Sequence, residues 1–136
     1  NDTAVSSTAP LVDASGNWFG TTDEATVAGL ISGNVDFTPY LGSGDADAIA
    51  AGFQGDFSEL YVTDEGSQAG SLGRVQEAIN LVTNSTVNVA AGTYTSAVTV
   101  DKPVELLGEA GAVLDFTGQQ DGVRITSSDV TPTYTS

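Results

Sequence analysis

"VQEAINLVTNSTVNVAAGTYTSAVTVDKPVELLGE", residues 75–109, decides the fold. Val75, Ala78, Ile79 and Val82 fall at i, i+3, i+4 and i+7, one apolar stripe of an α-helix. Past Val82 the period changes from 3.6 to 2. Val87/Val89, Val98/Val100 and Val104/Leu106 alternate with more polar neighbours, as short half-buried strands do. "AVLDF" and "GVRIT" extend the series, with Val123/Ile125 as the last alternating pair. Gly, Asp or Pro bounds each segment. Asn-Gly and Asp-Gly hairpin turns are nearly missing, and Asp121-Gly122 is the one Asp-Gly. Connections such as "AAGTYTS" and "DKP" read instead as corners of a solenoid. The steps Val87 to Val104 and Val104 to Val123 are close to a repeat of about 20 residues. The helix over 75–82 would cover the open end of the first coil, where a strand edge and an apolar cross-section need a cap.

Upstream, residues 1–9 are small and polar, an irregular or extended lead-in. "PLVDASGNWFG" is a short apolar run that breaks into a turn around Trp18, the single tryptophan. "TTDEATVAGLISG" predicts a short helix. Thr21 and Glu24 have capping-box spacing, and Asp23 and Glu24 suit the positive end of the helix dipole. Val27, Leu30 and Ile31 form its apolar face, and Gly33 is placed to stop it. In "NVDFTPYL", Val35 and Phe37 alternate as in a strand that Pro39 ends. Residues 42–70 are rich in Gly, Asp and Ser and read as a linker or elaborate loop with one strand-like piece, "ELYV".

Composition narrows the function. The 136 residues are 40% hydrophobic with few aromatics and sixteen glycines, which suits short strands and many turns. Eighteen acidic residues face three basic ones, Arg74, Lys102 and Arg124, for a net charge of -15. Nucleic-acid binding, which requires cations to displace phosphate counterions, is excluded as a main role, and anionic membranes repel such a chain. The acidity fits a solvated surface, divalent-cation sites or a high-salt habitat. Without Cys there is no disulfide or thiol chemistry. No apolar run is long enough to span a bilayer, so direct membrane insertion is not expected. A cleaved or trimmed segment before residue 1 is compatible with the absence of a signal peptide.

The stretch from residue 74 to about residue 130 resembles the N-terminal end of right-handed parallel β-helix proteins of the pectin-lyase-like class. The resemblance rests on Val75, Gln76, Ala78 and Ile79 in the helix, then Val87, Val89, Gly92, Thr93, Tyr94, Val98, Val100, Lys102, Pro103, Leu106, Gly108 and Gly111, in the family's order. Residues 16–41 resemble the closing element of such helices in large bacterial or archaeal surface proteins. Asn17, Trp18, Gly20, Val35, Asp36, Pro39 and Leu41 match, while Phe19 and Tyr40 stand where the pattern has tryptophans. A closing element thus precedes an opening one, the order that a junction between solenoids requires. Two coils are fewer than the three or so repeats that a solenoid core normally needs. The missing contacts would come from a longer chain or from another copy stacked head to tail.

Candidate chemistry is sparse. The resemblance brings in polysaccharide lyases and hydrolases. A lyase needs a base near a carboxylate-held Ca²⁺, and Arg124 with Asp115 or Asp121 is the combination available. A hydrolase needs two facing carboxylates. Lys102 reads as a turn residue beside Asp101. Asp45, Asp47 and Asp56, or Asp64 and Glu65, are the candidates for Ca²⁺, although none stands in a twelve-residue loop pattern. Asn84-Ser85-Thr86 is a glycosylation sequon.

The reading is an all-β chain, a right-handed parallel β-helix in the form of a partial solenoid with two short capping helices. Residues 1–41 are the closing cap, 42–70 the acidic linker, and 71–136 the opening helix and about two coils. The expected function is that of a non-catalytic extracellular or cell-surface module, structural or adhesive, whose partner is another copy or neighbouring repeats, with glycans as a further partner. A carbohydrate-binding or polysaccharide-cleaving fragment is the alternative. Trp18, Phe19, Phe37 and Tyr40 should plug one end, Val75, Ile79 and Val82 should cover the other, and Tyr94 should pack at a corner.

Overall fold

The computed structural model describes residues 3–44, 49, 51–52, 54–70, 72–83, 85–118 and 122–125. In chain order these form β1 (Val5–Asp13), α1 (Glu24–Gly29), β2 (Ile31–Asp36), β3 (Tyr40–Leu41), β4 (Glu59–Val62), α2 (Arg74–Leu81), β5 (Thr86–Val89), β6 (Gly92–Tyr94), β7 (Val98–Val100), β8 (Glu105–Gly108), β9 (Ala112–Leu114) and β10 (Val123–Ile125). The chain is mostly β, in several small and largely parallel sheets.

Three of these sheets involve the decisive stretch. In the largest, with order β3-β4-β5-β8, Leu60, Val87 and Leu106 stand in register, as do Val62, Val89 and Gly108. β6 pairs in parallel with β9, and β7 with β10. The strands β5, β6 and β7 are therefore followed, in the same order, by parallel partners β8, β9 and β10. Parallel partners need long connections, which is why hairpin turns are scarce in the sequence. β3 on β4 is the antiparallel pair.

The register corrects the expected repeat. Val87 lies beside Leu106 rather than Val104, and Val123 beside Val98 rather than Val104. Val104 is buried just before β8 begins. "GTY", expected as a corner, is the short strand β6. Inward alternation places Leu60, Val62, Val87, Val89, Val98, Val100 and Leu106 in one core, closed on one side by Val75, Ala78 and Ile79 of α2 and by Val82. Apolar side chains of this size gain about 1.5–3 kcal/mol each on full burial.

The first forty residues differ more from expectation. β1 begins at Val5 and runs parallel to β2, with an irregularity between Ser7 and Val12. The cap of α1 is Asp23, whose carboxylate accepts from the Thr26 N–H at 2.9 Å. Thr21 lies two residues before it, its hydroxyl accepting from the Asp23 N–H. Of the expected stripe only Val27 is buried; Leu30 caps the helix and Ile31 opens β2. Gly33 stands inside β2 at φ 87°, opposite Ser7, where a Cβ would run into the Ser7 carbonyl oxygen. Its role is a close backbone approach between strands rather than a helix stop.

Candidate functional site

The end of the stack that the chain reaches first is closed by one strand and four side chains. β3 covers the free edge of β4. The Gln76 side-chain amide on α2 acts as a surrogate strand for β7. Its Oε1 accepts from the Thr99 N–H at 2.6 Å, and its Nε2 donates to the Thr99 carbonyl at 3.0 Å. The Asp64 carboxylate accepts from the Thr93 N–H of β6 at 3.3 Å. Gly92 allows this approach, because a Cβ there would collide with that carboxylate. Lys102 reaches back to the last turn of α2, its Nζ donating to the carbonyls of Asn80 and Val82 at 3.1 and 3.0 Å. A cation there satisfies the orphan carbonyls of a helix C-terminus. Arg74 spreads its guanidinium over the carbonyls of Thr63, Glu65 and Gly66. At the opposite end, β8, β9 and β10 have no partner on their outer edges among the described residues.

The expected cap residues separate into two groups. Val75, Ile79, Val82 and Tyr94 belong to the main core, and Trp18 packs against it partly buried. Trp18 lies over Gly44, and Gly16 lies against Phe57. The turn is tied down by Gly16 N–H to Pro39 O at 2.7 Å and Leu41 N–H to Asn17 O at 2.9 Å. Phe37 and Tyr40 instead form a second, smaller core with Val27, on which Phe19 rests. The Tyr94 hydroxyl donates to the Ala90 carbonyl at 2.9 Å, which fixes the corner.

The carboxylates expected to hold Ca²⁺ do not converge among the described residues. Asp45 and Asp47 lie outside the described residues. Asp56 is held low by hydrogen bonds from the Ser58 and Ser43 hydroxyls and the Ser58 N–H. Asp64 serves β6, and Glu65 is exposed. Convergence occurs elsewhere: Asp13, Asp36 and Glu77 place carboxylate oxygens within 4.8 Å of one another. Asp36 is fully buried, and its carboxylate accepts from the Ala69 N–H at 2.7 Å and the Thr38 N–H at 3.3 Å. Burial raises Asp36 and Glu77 above the usual carboxylate range, and the neighbouring carboxylates add to both shifts. Three carboxylates could bridge a cation, but each brings one oxygen to the meeting point, three of the six to eight that Ca²⁺ takes. The sequence carried no local signal for this group. Alternation of Val35 and Phe37 assigns Asp36 to the outer face, but segment 67–69 folds over that face.

Two clefts flank the stack. One, of about 250 Å³, lies among Asp64, Gln68, Arg74, Thr93 and Tyr94. The other, of about 520 Å³, has an aromatic wall and an acidic rim: Tyr40, Tyr61, Asp23, Glu24 and Glu109. Arg124 is exposed on β10, and the Asp115 carboxylate is occupied by Thr117. Asp121 and Asn84 lie outside the described residues. Of the helices described, none is long and apolar enough to cross a membrane.

No protein family, curated protein or solved structure gives a significant match to the chain.

Proposed function

We propose that the chain is a non-catalytic structural or adhesive module of a secreted or cell-surface protein, built as a short right-handed β-solenoid that extends by strand pairing at its end. The observation that carries this reading is the ordered succession of parallel partners. Leu60 pairs with Val87, 27 residues on, and Val87 with Leu106, 19 residues on. Thr93 pairs with Val113 after 20 residues, and Thr99 with Arg124 after 25. Each face of the stack thus grows by one strand per passage of the chain, as solenoid repeats do.

The asymmetry of the ends supports a connecting role. Strand β3 closes the edge of β4 and side chains close those of β6 and β7, whereas the outer edges of β8, β9 and β10 are bare among the described residues, with Val113 and Ile125 exposed at 49% and 42%. Unpaired edges of this kind template further pairing. The partner is another copy or an adjoining repeat. A heterologous contact of that kind produces open filaments unless it closes into a ring. Negative-stain microscopy over a concentration series tests the proposal. Rods that lengthen with concentration are expected; particles that stay monomeric at the highest concentration reached would sink it.

A further inference from the structure

The larger cleft has a chemistry that strand pairing does not use. Its wall is Tyr61, stacked on Tyr40 with ring centroids 5.5 Å apart and planes 11° from parallel. Tyr40 is 1% exposed and is braced edge-on by Phe19, and its hydroxyl donates to the Thr22 carbonyl at 3.1 Å. Tyr61 is therefore held rigidly while remaining partly exposed. Around the pair stand Asp23 and Glu24 from the start of α1 and Glu109 from the turn after β8. Glu59 adds a fourth carboxylate at the Tyr61 hydroxyl, 3.1 Å away.

No basic residue lines this cleft. Arg74 and Lys102 are committed to backbone carbonyls elsewhere. Glu24 receives one hydrogen bond, from the Thr63 hydroxyl at 2.6 Å, and the Glu109 carboxylate accepts none from the described residues. Carboxylates with unused acceptor capacity beside an aromatic face favour one ligand class. A neutral ligand leaves their charge uncompensated. A hydrated metal ion could use the carboxylates but makes no use of the ring face. A planar cation satisfies both, stacking on the ring while its N–H groups reach the carboxylates.

We infer that this cleft binds a planar organic cation, the guanidinium side chain of an arginine-bearing partner, over Tyr61 with Glu24 and Glu109 as counter-ions. The site joins segments far apart in the chain, since Glu24 precedes β2 and Glu109 follows β8. It is independent of the solenoid reading and would stand if the chain proved strictly monomeric.

The test is a ¹H–¹⁵N NMR titration of the full chain with N-acetyl-arginine methylamide, alongside its uncharged isostere N-acetyl-citrulline methylamide and CaCl₂. Saturable shifts confined to the amides of residues 22–25, 61, 90 and 109 are expected with the arginine probe. Glu109→Gln, on an exposed turn, should bind it about three- to tenfold more weakly. Tyr61→Leu should do the same, with its fold checked by the unshifted remainder of the spectrum. Equal shifts with the citrulline probe, shifts spread over the whole acidic surface, stronger competition by Ca²⁺ at the same amides, or no saturation would each overturn the assignment.

Discussion

Glu77 shows how one side chain records its surroundings. It projects from α2 toward Asp13 and Asp36, and Gln68 Nε2 donates to its Oε2 at 2.9 Å. Burial raises it, as it raises Asp36. A carboxyl with a raised folded pKa binds its proton more tightly folded than unfolded, so its contribution is present at low pH and lost as pH rises through the folded value. Asp23, Asp56 and Asp115 act in the opposite sense. Hydrogen bonds from Thr26, Ser58 and Thr117 hold them low, and their stabilisation is lost as pH falls through those lowered values. The first window lies above about pH 4 and the second below it. The melting temperature should therefore rise on acidification from neutral pH toward about pH 4 and fall below it. Glu77→Gln, which keeps an acceptor for Gln68, should melt higher than the parent at neutral pH and show a flatter slope above pH 5. Identical slopes in a pH series of thermal melts would remove Glu77 from this account.

Among the elements, α2 was the most legible. Its stripe at 75, 78, 79 and 82 is the one that the core uses, because a helix lying on a sheet buries one face whatever the details of the sheet. Ile79→Ala, at a fully buried position, should cost about 2–5 kcal/mol, whereas Leu81→Ala, 38% exposed on the same helix, should stay within about 0.5 kcal/mol. Urea denaturation separates the two. The polar side of α2 was not legible, since nothing in its spacing tells that Gln76 pairs with Thr99, 23 residues away. Gln76→Glu keeps the acceptor for the Thr99 N–H but turns a second oxygen on the Thr99 carbonyl. It should therefore lose about 1 kcal/mol or more, and at least as much as Gln76→Ala. A Gln76→Glu variant as stable as the parent in the same denaturation would show that the amide is not closing the edge. Strand existence was legible from period-2 valines, but pairing was not. Periodicity assigns a residue to a face and leaves open which strand lies beside it, so the spacing points to Val104 for the stacking position that Leu106 occupies. In residues 1–41 the signals were weaker still. Ile31 fits a helix face or a strand start equally well, and the approach of Gly33 to Ser7 set the strand.

For the molecule as a whole, charge and edges oppose one another. The outer edges of β8, β9 and β10, unpaired among the described residues, would on the proposed function receive another copy, while a net charge of -15 repels it. The repulsion acts over a Debye length, about 10 Å at 0.1 M salt and about 3 Å at 1 M, whereas strand pairing acts at contact and is little screened. Raising the salt should thus lengthen any assembly, the reverse of what an ion-paired interface would do. Sedimentation velocity between about 0.05 and 1 M NaCl should show the weight-average size rising at fixed protein concentration. Val113→Lys with Ile125→Lys separates edge pairing from general salting-out. Both side chains are exposed, so the fold should tolerate the change, and lysines on open edges obstruct pairing. They also lower the net charge to -13, which by electrostatics alone would favour association. The double variant should nevertheless stay monomeric at high salt. If it assembles as well as the parent, contact is made through another surface, and the open end of the stack has a different purpose.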